Sequence, residues 1–153
     1  MGARVAVAAA QENFFVTAAG GYIPAIHLAP IASREKDFVA VAERFLGTPY
    51  LWGGKSSLGI DCSGLVQVAL TACGIACPRD SDMQEKSLGE AGSVHTLKRG
   101  HLVFWKGHVA IARDSTTLIN ANEFHMQVAT ELVTDAVARI RDAGSEVTRV
   151  RRI

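Results

Sequence analysis

Hydrophobic and polar positions change period twice along this chain. Near the start, 5–10, 14–18 and 22–26 are short apolar runs of β type, with Gly20 and Gly21 as the turn between the last two. So few strands cannot bury a core alone, and they predict the end of a small β-barrel. Residues 28–33 read as a linker punctuated by Pro30. Over 35–46 the period becomes helical. Phe38, Val41, Ala42 and Phe45 fall on one face, and Gly47 and Pro49 stop the helix. A glycine-rich loop follows, containing Trp52, Gly53, Gly54 and Lys55. Asp61 then makes a good N-cap for a second helix over 62–73, with Leu65, Val66, Ala69, Leu70 and Cys73 inward and Gly74 as the stop. Runs at 102–105, 108–112, 116–121 and 126–132 predict strands. A third helix spans 135–142 with Thr134 as its cap, and 146–152 alternates as an edge strand. Helices first and antiparallel strands afterwards is an α+β layout.

Composition narrows the class. A chain of 153 residues, 48% hydrophobic and 20% charged, is long enough for one core. A net charge of +1 supplies no clustered basic face, so neither a nucleic acid nor an anionic membrane is an expected partner. Arg149, Arg151 and Arg152 alternate with Val150 and read as the solvent face of the last strand. No apolar run reaches the roughly 18 residues a membrane helix needs. Residues 1–10 carry no charged leader or convincing cleavage site, which predicts a cytoplasmic protein, or a secreted or periplasmic one if the N-terminus is truncated. The three cysteines, Cys62, Cys73 and Cys77, argue against a disulfide framework. Cys62 and Cys73 lie about 16 Å apart along one helix, and C-x-x-x-C without histidines at ligand spacing is a poor zinc signal. Cys73 and Cys77 read as buried or half-buried thiols, and no metal or organic cofactor is expected.

Cys62 is different. It falls in the first turn of its helix, directly after the Asp61 cap, where free N–H groups and the helix dipole favour a thiolate. Ser63 and Gly64 are small enough to leave that end open to a substrate. A base must come from elsewhere. His108 opens an apolar strand just after Gly107, and a hairpin loop centred on Asp114 sets position 108 opposite Asn120. Asn120 would then orient the ring. Nucleophile, base and orienter as Cys, His and Asn is a papain-like arrangement. A slip in the hairpin register would alter it.

The stretches Thr48-Pro49-Tyr50-Leu51-Trp52-Gly53-Gly54 and Asp61-Cys62-Ser63-Gly64-Leu65-Val66-Gln67 resemble the signature of the NlpC family of bacterial cell-wall cysteine peptidases. Arg99-Gly100-His101-Leu102-Val103-Phe104-Trp105 and Gly107-His108-Val109-Ala110-Ile111 are similar to the same family in order and spacing. The resemblance spans roughly 37–132. It implies a papain-like α+β fold, with the nucleophile at a helix N-terminus packed on an antiparallel sheet, preceded by a partial small β-barrel. It further implies Cys62 as nucleophile, His108 as base and Asn120 as third residue, where histidine is more usual. Tyr50 would sit beside the thiolate and help hold the oxyanion, and Trp52, Asp61 and Ser63 would line the substrate cleft. Pro78-Arg79-Asp80-Ser81-Asp82-Met83-Gln84 resembles the branch that cleaves short murein peptides after γ-D-glutamate, in which the Asp80 and Ser81 positions receive the free N-terminal amine of the substrate. A turn followed by a helix cap explains the same residues. Residues 120–126 also resemble that branch, and His125 reads as structural rather than as the base. Residues 1–30 resemble the end of a bacterial Src-homology-3-type barrel and its linker, leaving 31–153 as the catalytic domain. In relatives that barrel helps close the pocket. His101 stands where relatives usually carry Asp, a change that could loosen the adjacent turn.

These readings predict hydrolysis of the γ-D-glutamyl–diamino acid amide bond of peptidoglycan peptides. Acyl transfer or amidase action with the same residues, or peptide binding without cleavage, are the alternatives. Neither the oligomeric state nor the choice between diaminopimelate and lysine is legible.

Overall fold

The computed structural model describes residues 2–153, which fall into two compact units, 2–34 and 35–153. The first unit is a three-stranded antiparallel meander, β1 (Val7–Gln11), β2 (Phe14–Thr17) and β3 (Tyr22–Pro24), followed by a short 3-10 turn, Ala25–His27. It is an open sheet, and Val5, Val7, Phe14, Tyr22, Ile26 and Ile31 stay exposed.

In the second unit, α1 (Phe38–Glu43) starts three residues later than the periodicity suggests. The Asp37 side chain accepts from the N–H groups of Val39 and Ala40 and so sets the start. A two-stranded ribbon, β4 (Lys55–Ser56) and β5 (Gly59–Ile60), leads into α2 (Cys62–Ala72). Asp61 caps α2 through Gly64 N at 2.7 Å, and Cys73 ends it. Then come α3 (Ser81–Ser87), β6 (Glu90–Ala91), β7 (His101–Trp105), β8 (His108–Ala112), β9 (Thr117–Asn122), β10 (Gln127–Leu132), α4 (Val133–Asp142) and β11 (Val147–Arg152). Thr134 does not cap α4. Its N-cap is Leu132, and no side chain bonds there.

The main sheet runs β10-β9-β8-β7-β11-β6, with every pairing antiparallel. β11 is therefore not an edge strand. It pairs with β7 along most of its length, while the two-residue β6 covers Arg151 and Arg152. Both faces of the sheet are covered. Leu102, Phe104, Val109, Ile111, Ile119 and Ala121 pack with Leu65, Val66 and Ala69 of α2. Val103, Trp105, Ala110, Ala112, Leu118 and Val150 pack with Ala136 of α4. This is why β7 reads as a continuous apolar run rather than an alternating one: all five of its residues are buried.

Gly107, at φ +76°, closes the two-residue turn that pairs Trp105 with His108. The β8–β9 hairpin departs from expectation. Its pairs are Ile111 with Ile119 and Ala112 with Leu118, so the ladder continues to His108 opposite Asn122, not Asn120. Asp114 is not the loop's centre but its first free corner. Its carboxylate accepts from the N–H and hydroxyl groups of both Thr116 and Thr117, which places the midpoint at Ser115. The slip is two residues, so parity survives. His108, Asn120 and Asn122 still lie on one face, the α4 side.

Candidate active site

A cleft of about 360 Å³ is lined by Tyr50, Trp52, Cys62, His108, Asn122, Glu123, Phe124 and Arg139, among others. It thus brings together the predicted nucleophile, the predicted base and both predicted loop aromatics. Tyr50 is anchored by its backbone, through Tyr50 N to Met126 O at 2.9 Å and a bridge to Ile60. Trp52 projects into solvent with 78% of its surface exposed, whereas Cys62 is 6% exposed.

Burial governs the chemistry here. It pushes the Cys62 thiol above its ordinary value, against N–H groups of Val109, Ser63 and Cys62 itself that favour the thiolate, and the Asp61 charge adds to the rise. The helix N-terminus alone predicts the opposite, and desolvation outweighs it. His108 is held down to about 4, by burial first and then by the Arg139 charge, while the Glu131 charge and the nearby Asn120 amide work the other way. The resting pair is therefore thiol and neutral imidazole. Burial, together with the charges of Cys62, Glu123 and Asp61, raises Tyr50 to about 12. Tyr50 stays a phenol, and therefore a donor, at any physiological pH.

Asn120 lies behind His108 in a network that sequence reasoning did not find. Asn122 Nδ2 donates to Asn120 Oδ1 at 2.5 Å, and Asn120 Nδ2 donates to Glu131 Oε1 at 2.9 Å. Arg139 Nη2 reaches both Glu131 oxygens at 2.9 Å. Glu131 faces the same side of the sheet as these asparagines because it pairs with Leu118 on β9. His125 is held by Asn122 Oδ1 through its backbone N–H at 2.7 Å, and its Nδ1 lies 3.1 Å from the same oxygen. Its ring also meets Phe124 edge-on.

Asp61 and Ser63 differ from their expected place on the cleft wall. Both are 6% exposed and neither lines the cleft. Arg79 explains this. Its guanidinium takes Asp61 Oδ1 at 2.9 Å and Asp61 Oδ2 at 2.5 Å, and also bonds Ser63 Oγ at 2.9 Å. Gly53 N donates to Asp61 Oδ2 at 2.8 Å, so the same carboxylate ties the Trp52 loop to the start of α2. Burial tends to raise the Asp61 carboxyl, but Arg79 and these N–H donors hold it below the usual range. Gln84 supports the arrangement from α3, donating at 2.9 Å to Ser63 O and to Pro78 O. Asp80 stands exposed at the N-cap of α3 with no cap bond of its own, and Ser81 follows half-buried; neither lines the cleft.

His101 is 8% exposed with Nδ1 unpartnered, yet the preceding turn holds, His101 N donating to Lys98 O at 3.0 Å. Burial, then the Arg152 and Lys98 charges, push its pKa below the ordinary histidine value. Cys73 and Cys77 are free and half-buried. Among the described residues no cluster of His, Cys, Asp and Glu is arranged to hold a metal, and no helix is long and apolar enough to cross a membrane.

Known proteins share this architecture. Dipeptidyl-peptidase 6 of Lysinibacillus sphaericus is 38% identical over 91 residues, which is 60% of this chain and 33% of that protein. A γ-D-glutamyl-L-lysine dipeptidyl-peptidase of Bacillus subtilis is 40% identical over 70 residues, 46% of this chain and 23% of the relative. The chain thus spans a third or less of the length of these relatives. The crystal structure of an NlpC/P60 family protein from Bacillus cereus matches 98% of this chain and 53% of its own, with a TM-score of 0.74 at 24% identity. The NlpC/P60 family model itself matches residues 47–143, from the Tyr50 loop through α4. With the Cys62 helix, the His108 strand and the cleft all inside that match, the chain belongs to the NlpC/P60 family.

Proposed function

We propose that the chain is a cysteine peptidase that cleaves the γ-D-glutamyl–diamino acid amide bond of short peptidoglycan peptides. The observation behind this is the single cleft shared by Cys62 and His108, with Asn120 on the same face of the sheet as the ring. As the sulfur attacks the amide carbonyl, its proton passes to His108, so the neutral resting pair ionises only as the bond forms. Tyr50 O–H and the N–H groups at the start of α2 are the donors available to the developing oxyanion. The imidazolium returns its proton to the leaving amine, giving a thioester and a free amine. Water, deprotonated by His108, then releases the γ-D-glutamyl carboxylate and regenerates the thiol. Trp52 packs on the peptide.

The exposed Asp80 carboxylate and Ser81 receive the substrate's N-terminal ammonium, a pairing that requires a fixed anion. Asp61 and Ser63 act one layer below, holding the loop and helix end through Arg79. Residues 1–30 are the end of a Src-homology-3-type barrel. The names of the dipeptidyl-peptidase relatives support the substrate class.

The test is incubation with L-Ala-γ-D-Glu-meso-diaminopimelate, read by mass spectrometry beside Cys62→Ala. Release of free diaminopimelate by the parent chain alone is expected. Release by Cys62→Ala as well, or by neither, refutes the assignment.

A further inference from the structure

Among the described residues Arg139 is the one cleft-lining cation, and the acyl-transfer chemistry just described does not use it. Its side chain is 26% exposed. Only Nη2 is engaged, by Glu131, while Nε is buried without a partner and Nη1 bonds nothing among the described residues. The guanidinium plane is fixed from two sides. Its central carbon lies 4.7 Å from the centre of the Phe124 ring, and Glu131 is a buried anchor with a side chain 9% exposed. A guanidinium immobilised in this way has already lost its rotamer freedom, and it presents unused donors to a cleft that also holds the nucleophile.

We propose that Arg139 receives a carboxylate on the leaving residue of the substrate and so selects peptides in which that residue carries a free acid. The inference rests on the cleavage reading above. The ligand chemistry follows from the charges around the site. Glu131 already offsets part of the cation, and Glu123 on the cleft wall repels dianions, so a phosphate is disfavoured. A carboxylate oxygen suits the N–H donors that Nη1 leaves free on the accessible end of the guanidinium. A diamino acid whose α-amine forms the scissile bond keeps its own α-carboxylate a few bonds from the reacting carbonyl. That is the anion every such leaving group carries when it ends the peptide.

The test separates recognition from turnover. Cys62→Ala, which cannot cleave, is titrated calorimetrically with L-Ala-γ-D-Glu-L-Lys as the free acid and as the C-terminal amide. The acid should bind about 10- to 100-fold tighter, the contribution of one charge-assisted hydrogen-bonded pair. Adding Arg139→Gln should bring the two affinities together, while Arg139→Lys should keep part of the difference. The double variant Arg139→Gln/Glu131→Gln avoids stranding a buried carboxylate and should behave like Arg139→Gln, with an unfolding midpoint near the parent's. Equal affinities for acid and amide, no binding of either, or a loss in Arg139→Gln that is the same for both peptides would overturn the proposal. A parent chain that prefers the acid but releases no lysine would instead sink the cleavage reading and leave the carboxylate site standing.

Discussion

Arg79→Leu is the perturbation that probes the site's foundation. The Asp61 side chain is 9% exposed and Arg79 30%, and the substitution leaves the carboxylate with two N–H donors and no cation. Stranding one member of a buried pair costs about 3–5 kcal/mol. Water reaches the partly exposed Arg79 side, so about 2–3 kcal/mol is expected here. Urea denaturation should show a lower midpoint at unchanged slope. Asp61→Asn removes the same pair from the other side, and the double variant should be less destabilised than the sum, with a coupling of about 2 kcal/mol. The pH dependence has a definite sign. Asp61 is held below the usual carboxylate range, so its contribution is complete at neutral pH and is lost only as pH falls through that depressed value. Removing Arg79 moves that loss to higher pH. An Arg79→Leu cost below about 0.5 kcal/mol, or a coupling within error of zero, would refute this account of the pair.

In kcat/KM against pH, the acid limb should fall near 4, where burial holds His108, and a limb near the ordinary imidazole value would contradict a desolvated ring. Between about 6.5 and 4 the unfolded chain takes up a proton at this histidine that the folded chain refuses, so stability should decline as pH falls through that window. Gly64→Ala gains about 1 kcal/mol of helix propensity. However, its Cβ would stand 2.5 Å from Gly54 O and 2.9 Å from Asp61 Oδ1, so a net loss of about 1–2 kcal/mol is expected in thermal unfolding, and a rise would disprove the clash. Tyr50→Phe keeps the ring and removes the donor. It should lower kcat about 10- to 100-fold with KM little changed, and an unchanged kcat would exclude Tyr50 from the oxyanion site.

Local signals survived translation into structure where one residue decides the outcome. Asp61 does cap the Cys62 helix, and β8 has the bounds its apolar run suggested. The hairpin failed by two residues because Asp114 binds both following threonines and moves the loop's centre, which a count of loop residues does not reveal. What was not legible is mostly distant in sequence. Arg79 meets Asp61 18 positions away, and Glu131 and Arg139 join Asn120 only because β9, β10 and α4 share a face of the sheet. Arg79 stands between Pro78 and Asp80, and nothing in that local sequence points it toward Asp61. The thiol's direction of shift was unreadable for a related reason. A cap sets the helix dipole locally, but burial is a property of the whole fold.

The strand order has a consequence for synthesis. β7 through β10 form a meander whose partners emerge one after another, so the histidine side of the cleft can assemble early. The other edge of β7 waits for β11, which pairs Val147 with Trp105. At ribosomal rates of about 5–20 residues per second, that gap leaves an apolar strand edge unpaired for about 2–8 s. A nascent chain stalled inside α4 would display the apolar run Leu102–Trp105 as a template for other strands. The stretch 106–146 is therefore where translation speed, rather than native stability, decides between a soluble product and an aggregate.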